Sequence, residues 1–178
     1  MSPDFSIITE SIELKLLSDE HTEQLQQLIC HSPTLHQWID WCQPDFSLQQ
    51  AEQFIYATRL NWVKCTGYGF GVFIKDSQQL VGMVVINELY QTFNMVSIGY
   101  WIADKFQHQG FGQKSIHSLV EFCFDILRVS RIEIVCDPHN LASRHLIEQC
   151  GADFEVIARN RFVYNNRACD GAVYSIVP

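Results

Sequence analysis

The stretch Met95-Val-Ser-Ile-Gly-Tyr-Trp-Ile102, followed by the polar turn Gln107-His-Gln-Gly-Phe-Gly112, decides how this sequence is read. Residues 95–102 are rich in aromatic and branched side chains, as suits a buried strand. After Gly112, the residues Ile116, Leu119, Val120, Cys123 and Leu127 recur at the spacing of a helix with one buried face. A strand, a Gln107-x-x-Gly110-x-Gly112 turn and a helix therefore follow one another. Two glycines let backbone approach a ligand closely, and a helix start offers unpaired N–H groups with partial positive charge. That combination suits a phosphate or pyrophosphate; it equally describes an ordinary turn before a helix. It lacks the Gly-Lys-Ser/Thr ending of a P-loop and the three glycines of a dinucleotide fingerprint. A phosphate site this far along the chain, after four predicted strands, points to a different nucleotide-bearing cofactor.

Working outward, Arg131–Cys136 reads as a short strand, and Asn140 as the cap of a helix that runs to Cys150 and stops at Gly151. Two last strands follow, about Phe154 to Tyr164 and Ala172 to Val177, around a turn at Asn165-Asn166. On the N-terminal side, Ile12, Leu14 and Leu16 alternate with Glu13 and Lys15 as in a half-buried strand. A helix is expected from about Glu20 to Cys30, then one or two helical turns at Leu35 to Trp41. Ser47 and Gln50 make a capping-box pattern for a helix to about Lys64. Strands near Gly69–Lys75 and Leu80–Asn87 complete the set. The order β, α, α, β, β, β, α, β, α, β, β predicts an α/β (α+β) fold in one domain over residues 1–178. Its mixed sheet has six to seven strands, with helices on both faces.

Twelve basic and twenty acidic residues give a formal charge of −8. This speaks against nucleic acid as a partner, since phosphate binding needs a concentrated basic face, and mildly favours a cationic one. The cysteine count is seven, odd and without a C-x-x-C pair, which suits buried thiols in a reducing compartment. The N-terminus lacks the basic and apolar regions of a secretory signal, and no apolar run approaches the ~20 residues of a membrane span. The expectation is a cytoplasmic protein with no membrane partner. The histidines show no H-x-H or H-x-x-x-H pair, so no metal site is expected.

A second constellation is Cys136-x-x-x-Asn140-x-x-Ser143, across a strand end, a turn and the first turn of a helix. Asn140 reads as an N-cap and Ser143 as a polar residue at the third helical position. Functionally, the Ser143 hydroxyl can give a proton to a leaving thiolate. One helix and one strand separate Gly112 from Asn140, so the two loops can meet at one edge of the sheet.

The order of elements, Gln107-x-x-Gly110-x-Gly112, and Asn140-Leu-Ala-Ser143 followed by Ile147-Glu-Gln-Cys-Gly-Ala-Asp-Phe154 resemble the GNAT superfamily of acetyl-CoA-dependent N-acetyltransferases. Trp38-Ile-Asp-Trp41, Ile98-Gly-Tyr-Trp-Ile102 and Cys136 are further likenesses to its RimJ/RimL ribosomal-protein N-terminal acetyltransferases. The resemblance covers nearly the whole chain. It implies a sheet splayed between the fourth and fifth predicted strands, with acetyl-CoA lying in the gap. Trp101, Ile102, Gln107, Gln109, Gly110, Phe111, Gly112, Asn140 and Ser143 would bind that cofactor. Ser143 would be the acid for the leaving thiolate; Cys136 would share that role or be a buried thiol. Glu88 or Asp137 would serve as base, each being otherwise a surface carboxylate, and the stretch Arg159 to Tyr164 carries no acid. Trp38, Asp40 and Trp41 would wall the acceptor, or the tryptophans would be core. Lys105, Lys114, Arg128 and Arg144 would reach the phosphates or stay solvated. The implied acceptor is a primary amine, above all the N-terminal α-amine of a ribosomal protein, and by analogy the protein would form a homodimer. Two other functions stay open: acetylation of a small amine (polyamine, amino acid or aminoglycoside), and a non-catalytic acetyl-CoA-binding module.

Overall fold

A computed structural model describes residues 2–178. The elements are β1 (Ser6–Ile8), β2 (Ile12–Lys15), α1 (Thr22–Cys30), α2 (Pro33–Trp38), α3 (Leu48–Lys64), β3 (Tyr68–Ile74), β4 (Leu80–Tyr90) and β5 (Met95–Ile102). They continue with α4 (Phe111–Asp125), β6 (Arg131–Cys136), α5 (Leu141–Gln149), β7 (Asp153–Tyr164) and β8 (Arg167–Ile176). All the strands join one sheet in the order β1-β2-β3-β4-β5-β6-β8-β7.

The helices begin and end where local chemistry dictates. At α3 the Ser47 hydroxyl accepts from the Gln50 N–H at 3.2 Å, while Gln50 Oε1 accepts from the Ser47 N–H at 2.7 Å. Asn140 Oδ1 accepts from the Ser143 N–H at 3.1 Å and opens α5, which closes on Gly151 at φ +86°. The β7–β8 hairpin turns through Asn165 and Asn166, at φ +47° and +58°, the left-handed pair that two-residue hairpins favour.

Helices cover both faces. A β-carbon at Gly69 would meet the Thr58 methyl of α3, whereas the ring of Phe70, its neighbour in β3, lies 6.0 Å from Phe122 of α4. Adjacent strand residues point to opposite faces, so α3 and α4 lie on opposite sides. The largest fully buried side chain, Trp62, spends its indole N–H on the carbonyl of Gly69 at 3.0 Å.

The feature that positions the site is the meeting of β5 and β6. They run parallel and pair only from Met95 opposite Arg131 to Ile98 opposite Ile134; every other neighbouring pair is antiparallel. Past that point β5 continues to Ile102 and β6 to Cys136 without touching each other's ladder. The sheet is thus splayed between the strands that read from the sequence as the fourth and fifth.

The sheet has eight strands, one more than the upper expectation, because Ser6–Ile8 adds an edge strand beside β2. Three residues are too few to carry an alternation signal. The segment expected at 35–41 is helical over Pro33–Trp38, and α1 starts at Thr22, after a 3-10 turn at Asp19–His21.

Candidate active site

The gap between β5 and β6 is the mouth of a cleft of about 800 Å3. At one end lies the start of α4. Gly110 caps that helix at φ +81° without any side-chain hydrogen bond to its first turn, so the first N–H groups remain free for an anion. A β-carbon at Gly110 would meet nothing within 4 Å, whereas one at Gly112 would meet Leu146 Cδ2 of α5 at 2.9 Å. Gly110 is therefore needed for its conformation and Gly112 for the close approach of α4 and α5. Along the cleft wall, the β5 backbone beyond Ile98 has lost its β6 partner and presents groups that a linear amide chain can pair with. A phosphate-bearing head at α4 and an amide-bearing arm in the gap are what these residues fit.

Opposite the α4 turn stands a hydroxyl pair. The Tyr100 hydroxyl lies 2.8 Å from Ser143 Oγ and donates toward the Ser143 carbonyl at 3.1 Å. Burial pushes the Tyr100 phenol well above its ordinary value, so it stays protonated and able to donate at neutral pH. Ser143 itself sits in the first turn of α5, held by the Asn140 cap. The neighbouring Arg144 donates to the Tyr174 hydroxyl at 2.8 Å and to the Pro138 carbonyl at 3.2 Å, which fixes the β6–α5 turn. Cys136 lines the cleft, and burial raises its thiol.

Of the residues expected at the cofactor, Trp101, Ile102, Gln107, Gly110, Gly112, Asn140 and Ser143 line the cleft. Gln107 turns inward: its amide donates to the Ile102 carbonyl at 3.0 Å and to the Thr34 hydroxyl at 2.9 Å, tying the end of β5 to α2. Gln109 folds back onto the Lys105 carbonyl at 2.9 Å, and Phe111 packs edge-on against Phe106; neither side chain lines the cleft. Lys114 reaches Ser11 rather than the α4 turn.

Glu88 does not border the cleft. The register between β4 and β5 shifts between Ile86 and Glu88, and the extra residue, Asn87, lines the cleft instead. The exposed Glu88 carboxylate accepts from the Tyr90 hydroxyl. Among the described residues lining the cleft, Asp137 is the one carboxylate, and it accepts from the His139 N–H at 2.8 Å. Asp40 is exposed and is not among the residues lining the cleft, while Trp38 is. Trp41 stacks on Phe54 of α3 at 4.6 Å and borders a second hollow of about 370 Å3 on the α3 side. Tyr100 was within the quoted motif without a role, because its partner lies forty-three positions away and the contact exists only in the folded chain.

Arg161 of β7 reaches the cleft with its guanidinium paired to Glu133, where the sequence shows no acid. No group of three or more metal-ligating side chains occurs among the described residues, and no helix is long and apolar enough to cross a membrane. The cysteines are unpaired, and Cys42, Cys123 and Cys150 are buried.

Comparison with known proteins gives the same answer from another direction. The acetyltransferase (GNAT) domain profile matches residues 11–153. A solved structure from Vibrio cholerae, provisionally assigned as a ribosomal-protein-serine acetyltransferase, is 53% identical, covers 100% of both chains and superposes with a TM-score of 0.94. The ribosomal-protein-serine acetyltransferase of Escherichia coli K12 is 24% identical over 94% of this chain and 93% of its own. A structure of RimL, the ribosomal L7/L12 α-N-protein acetyltransferase, in complex with coenzyme A shares the fold. Its TM-score is 0.86 at 21% identity, over 97% of this chain and 98% of its own. With a profile match over most of its length and a relative this similar end to end, the chain belongs to the GNAT family of acetyltransferases.

Proposed function

We propose that this protein binds acetyl-CoA in the cleft and transfers the acetyl group directly to the N-terminal α-amine of a ribosomal protein. The observation that carries the reading is the pairing of Ser143 with Tyr100 across the gap from the start of α4, whose first N–H groups have no side-chain cap. Acetyl-CoA supplies an activated acetyl thioester. The free N–H groups of Gly110 to Gly112 hold its pyrophosphate, and the unpaired edge of β5 orients its arm. Tyr100 holds Ser143 Oγ in place at 2.8 Å, and Ser143 is the group that gives its proton to the departing sulfur. The new N–C bond forms as the C–S bond breaks; the amine gives one proton to water, the thiolate of pKa about 8.5 takes one from Ser143, and Ser143 regains its proton from water. No enzyme-bound acetyl intermediate is needed.

The α-amine follows from acid–base chemistry. At pH 7 an α-amino group of pKa about 8 is roughly a tenth neutral, whereas a lysine of pKa about 10.4 is neutral below one part in a thousand. A cleft whose single carboxylate, Asp137, is engaged by His139 suits the amine that needs little help. The names of the relatives support a ribosomal acceptor. The enzyme acts in the cytoplasm on this reading.

The test incubates the purified protein with acetyl-CoA and peptides copying ribosomal-protein N-termini, with thiol release and peptide mass as readouts. A gain of one acetyl group on the α-amine is expected. Turnover of polyamines, free amino acids or aminoglycosides with none of any peptide would replace this acceptor by a small amine. Coenzyme binding without any turnover would leave a binding module.

A further inference from the structure

The hollow of about 370 Å3 beside the cleft has a chemistry of its own. Its floor is one face of the sheet. Gly99 is opposite Val85 and Trp101 opposite Met83, so these four positions share a face, and it is the face covered by α3. Tyr100 points the other way, toward Ser143 of α5. The hollow therefore opens on the side of the sheet opposite the hydroxyl pair. Ile39, Asn87, Gly99, Tyr100 and Trp101 border both spaces, so the hollow adjoins the cleft along β5. Gly99 keeps that partition thin: a β-carbon there would sit 3.0 Å from Asn87 Nδ2.

The walls are Trp41 stacked on Phe54, with Tyr68, Met83, Val85 and Trp101, and the polar side chains present are Thr58, Asn61 and Asn87. No acidic or basic side chain is among the described lining residues. An ammonium entering it would lose hydration with no counter-charge in return, while an apolar side chain would lose only its contact with water. The volume is in the range of small ligand sites, about 300 Å3 upward.

We infer that this hollow is an acceptor subsite that receives an apolar side chain from the first two residues of the chain bearing the reacting amine. The inference rests on the N-terminal α-amine reading and adds to it the sequence class of the acceptor. The reacting amine stands at the gap, its chain enters from the α3 side, and the nearest large side chain drops between Trp41, Phe54 and Met83.

The test is a peptide panel at saturating acetyl-CoA, with Gly, Leu, Phe, Asp or Lys placed in turn at the first and at the second position. At one of these positions, Leu or Phe should exceed Gly, Asp and Lys in kcat/KM by about ten-fold or more. Thr58→Phe, which fills the hollow from α3, should cut the advantage of the Leu peptide by about ten-fold, with coenzyme A affinity reporting that the fold is intact. Val85→Ala, which enlarges the hollow, should move the preference from Leu toward Phe. Equal turnover of all side chains at both positions would overturn the inference and leave the α-amine reading standing. A ranking that neither variant alters would also overturn it, the hollow then being a packing gap. No turnover of any peptide beside turnover of small amines would remove both.

Discussion

At the scale of single residues, the proposed transfer turns on the Ser143 hydroxyl, which on that reading keeps its proton until the sulfur leaves. Ser143→Ala is expected to lower kcat by about ten-fold or more while the Kd for coenzyme A stays near the native value, since the α4 turn is untouched. Tyr100→Phe keeps the ring and loses the hydrogen bond to Ser143; a fall of about two- to ten-fold follows from the worth of one neutral hydrogen bond. Steady-state kinetics and calorimetry separate the two effects. Unchanged kcat in Ser143→Ala would exclude the serine as acid. Asn140 and Ser143 could be read from spacing because a helix cap is local chemistry. The Ser143 partner could not be read, since Tyr100 meets it only after a strand, two helices and another strand have folded. Of the two carboxylates read as candidate bases, Glu88 and Asp137, Glu88 lies outside the cleft for a related reason: a bulge of one residue reverses which side chain faces which way, and alternation in the sequence does not announce it.

At the scale of elements, two glycines one residue apart carry different loads. Gly110 is in the left-handed region with open space around it, so Gly110→Ala is strained without a clash; a loss of about 1–2 kcal/mol lowers Tm by about 2–8 °C. Gly110→Asn should recover part of that loss, because asparagine tolerates this conformation. Thermal melts of the two variants decide it, and equal losses would contradict the assignment. A second element prediction concerns β6, β8 and β7. Glu155 occupies a bulge in β7, and both its oxygens accept from Arg131 at 2.6 Å across β8, whose Ser175 hydroxyl donates at 2.7 Å. The Arg131 guanidinium holds this carboxyl down at about 2. A lowered value means stability present above the ordinary 4.5 and lost as pH falls toward 2. Glu155→Gln should therefore melt below the native protein at pH 7, by no more than about 2–4 °C for so exposed a pair, and converge with it near pH 2. Capping boxes, hairpin asparagines and helix periodicity made most element types legible in the sequence. The left-handed end of α3 at Cys65, φ +55°, was not, because neither glycine nor asparagine stands there to announce it.

At the scale of the whole molecule, one sheet of eight strands is built so that its centre is incomplete. The sequence disclosed the order of elements and, through the likeness of its motifs, the splay; it could not disclose the second hollow, which is made by five separate segments, that of Gly99 among them. The central parting has a consequence for the motions of the free protein. Amide hydrogens on the open side of Gly99 to Ile102 lie mid-sheet, where protection from solvent deuterium is ordinarily greatest, yet they have no strand to shield them. They should exchange early in the free enzyme, an unprotected seam between protected strands. Coenzyme A should slow them by pairing with that edge, while the amides of β3 from Gly71 to Phe73, flanked by paired strands on both sides, barely change. A deuterium-uptake map in which β5 and β3 respond alike would mean that the ligand does not complete the ladder.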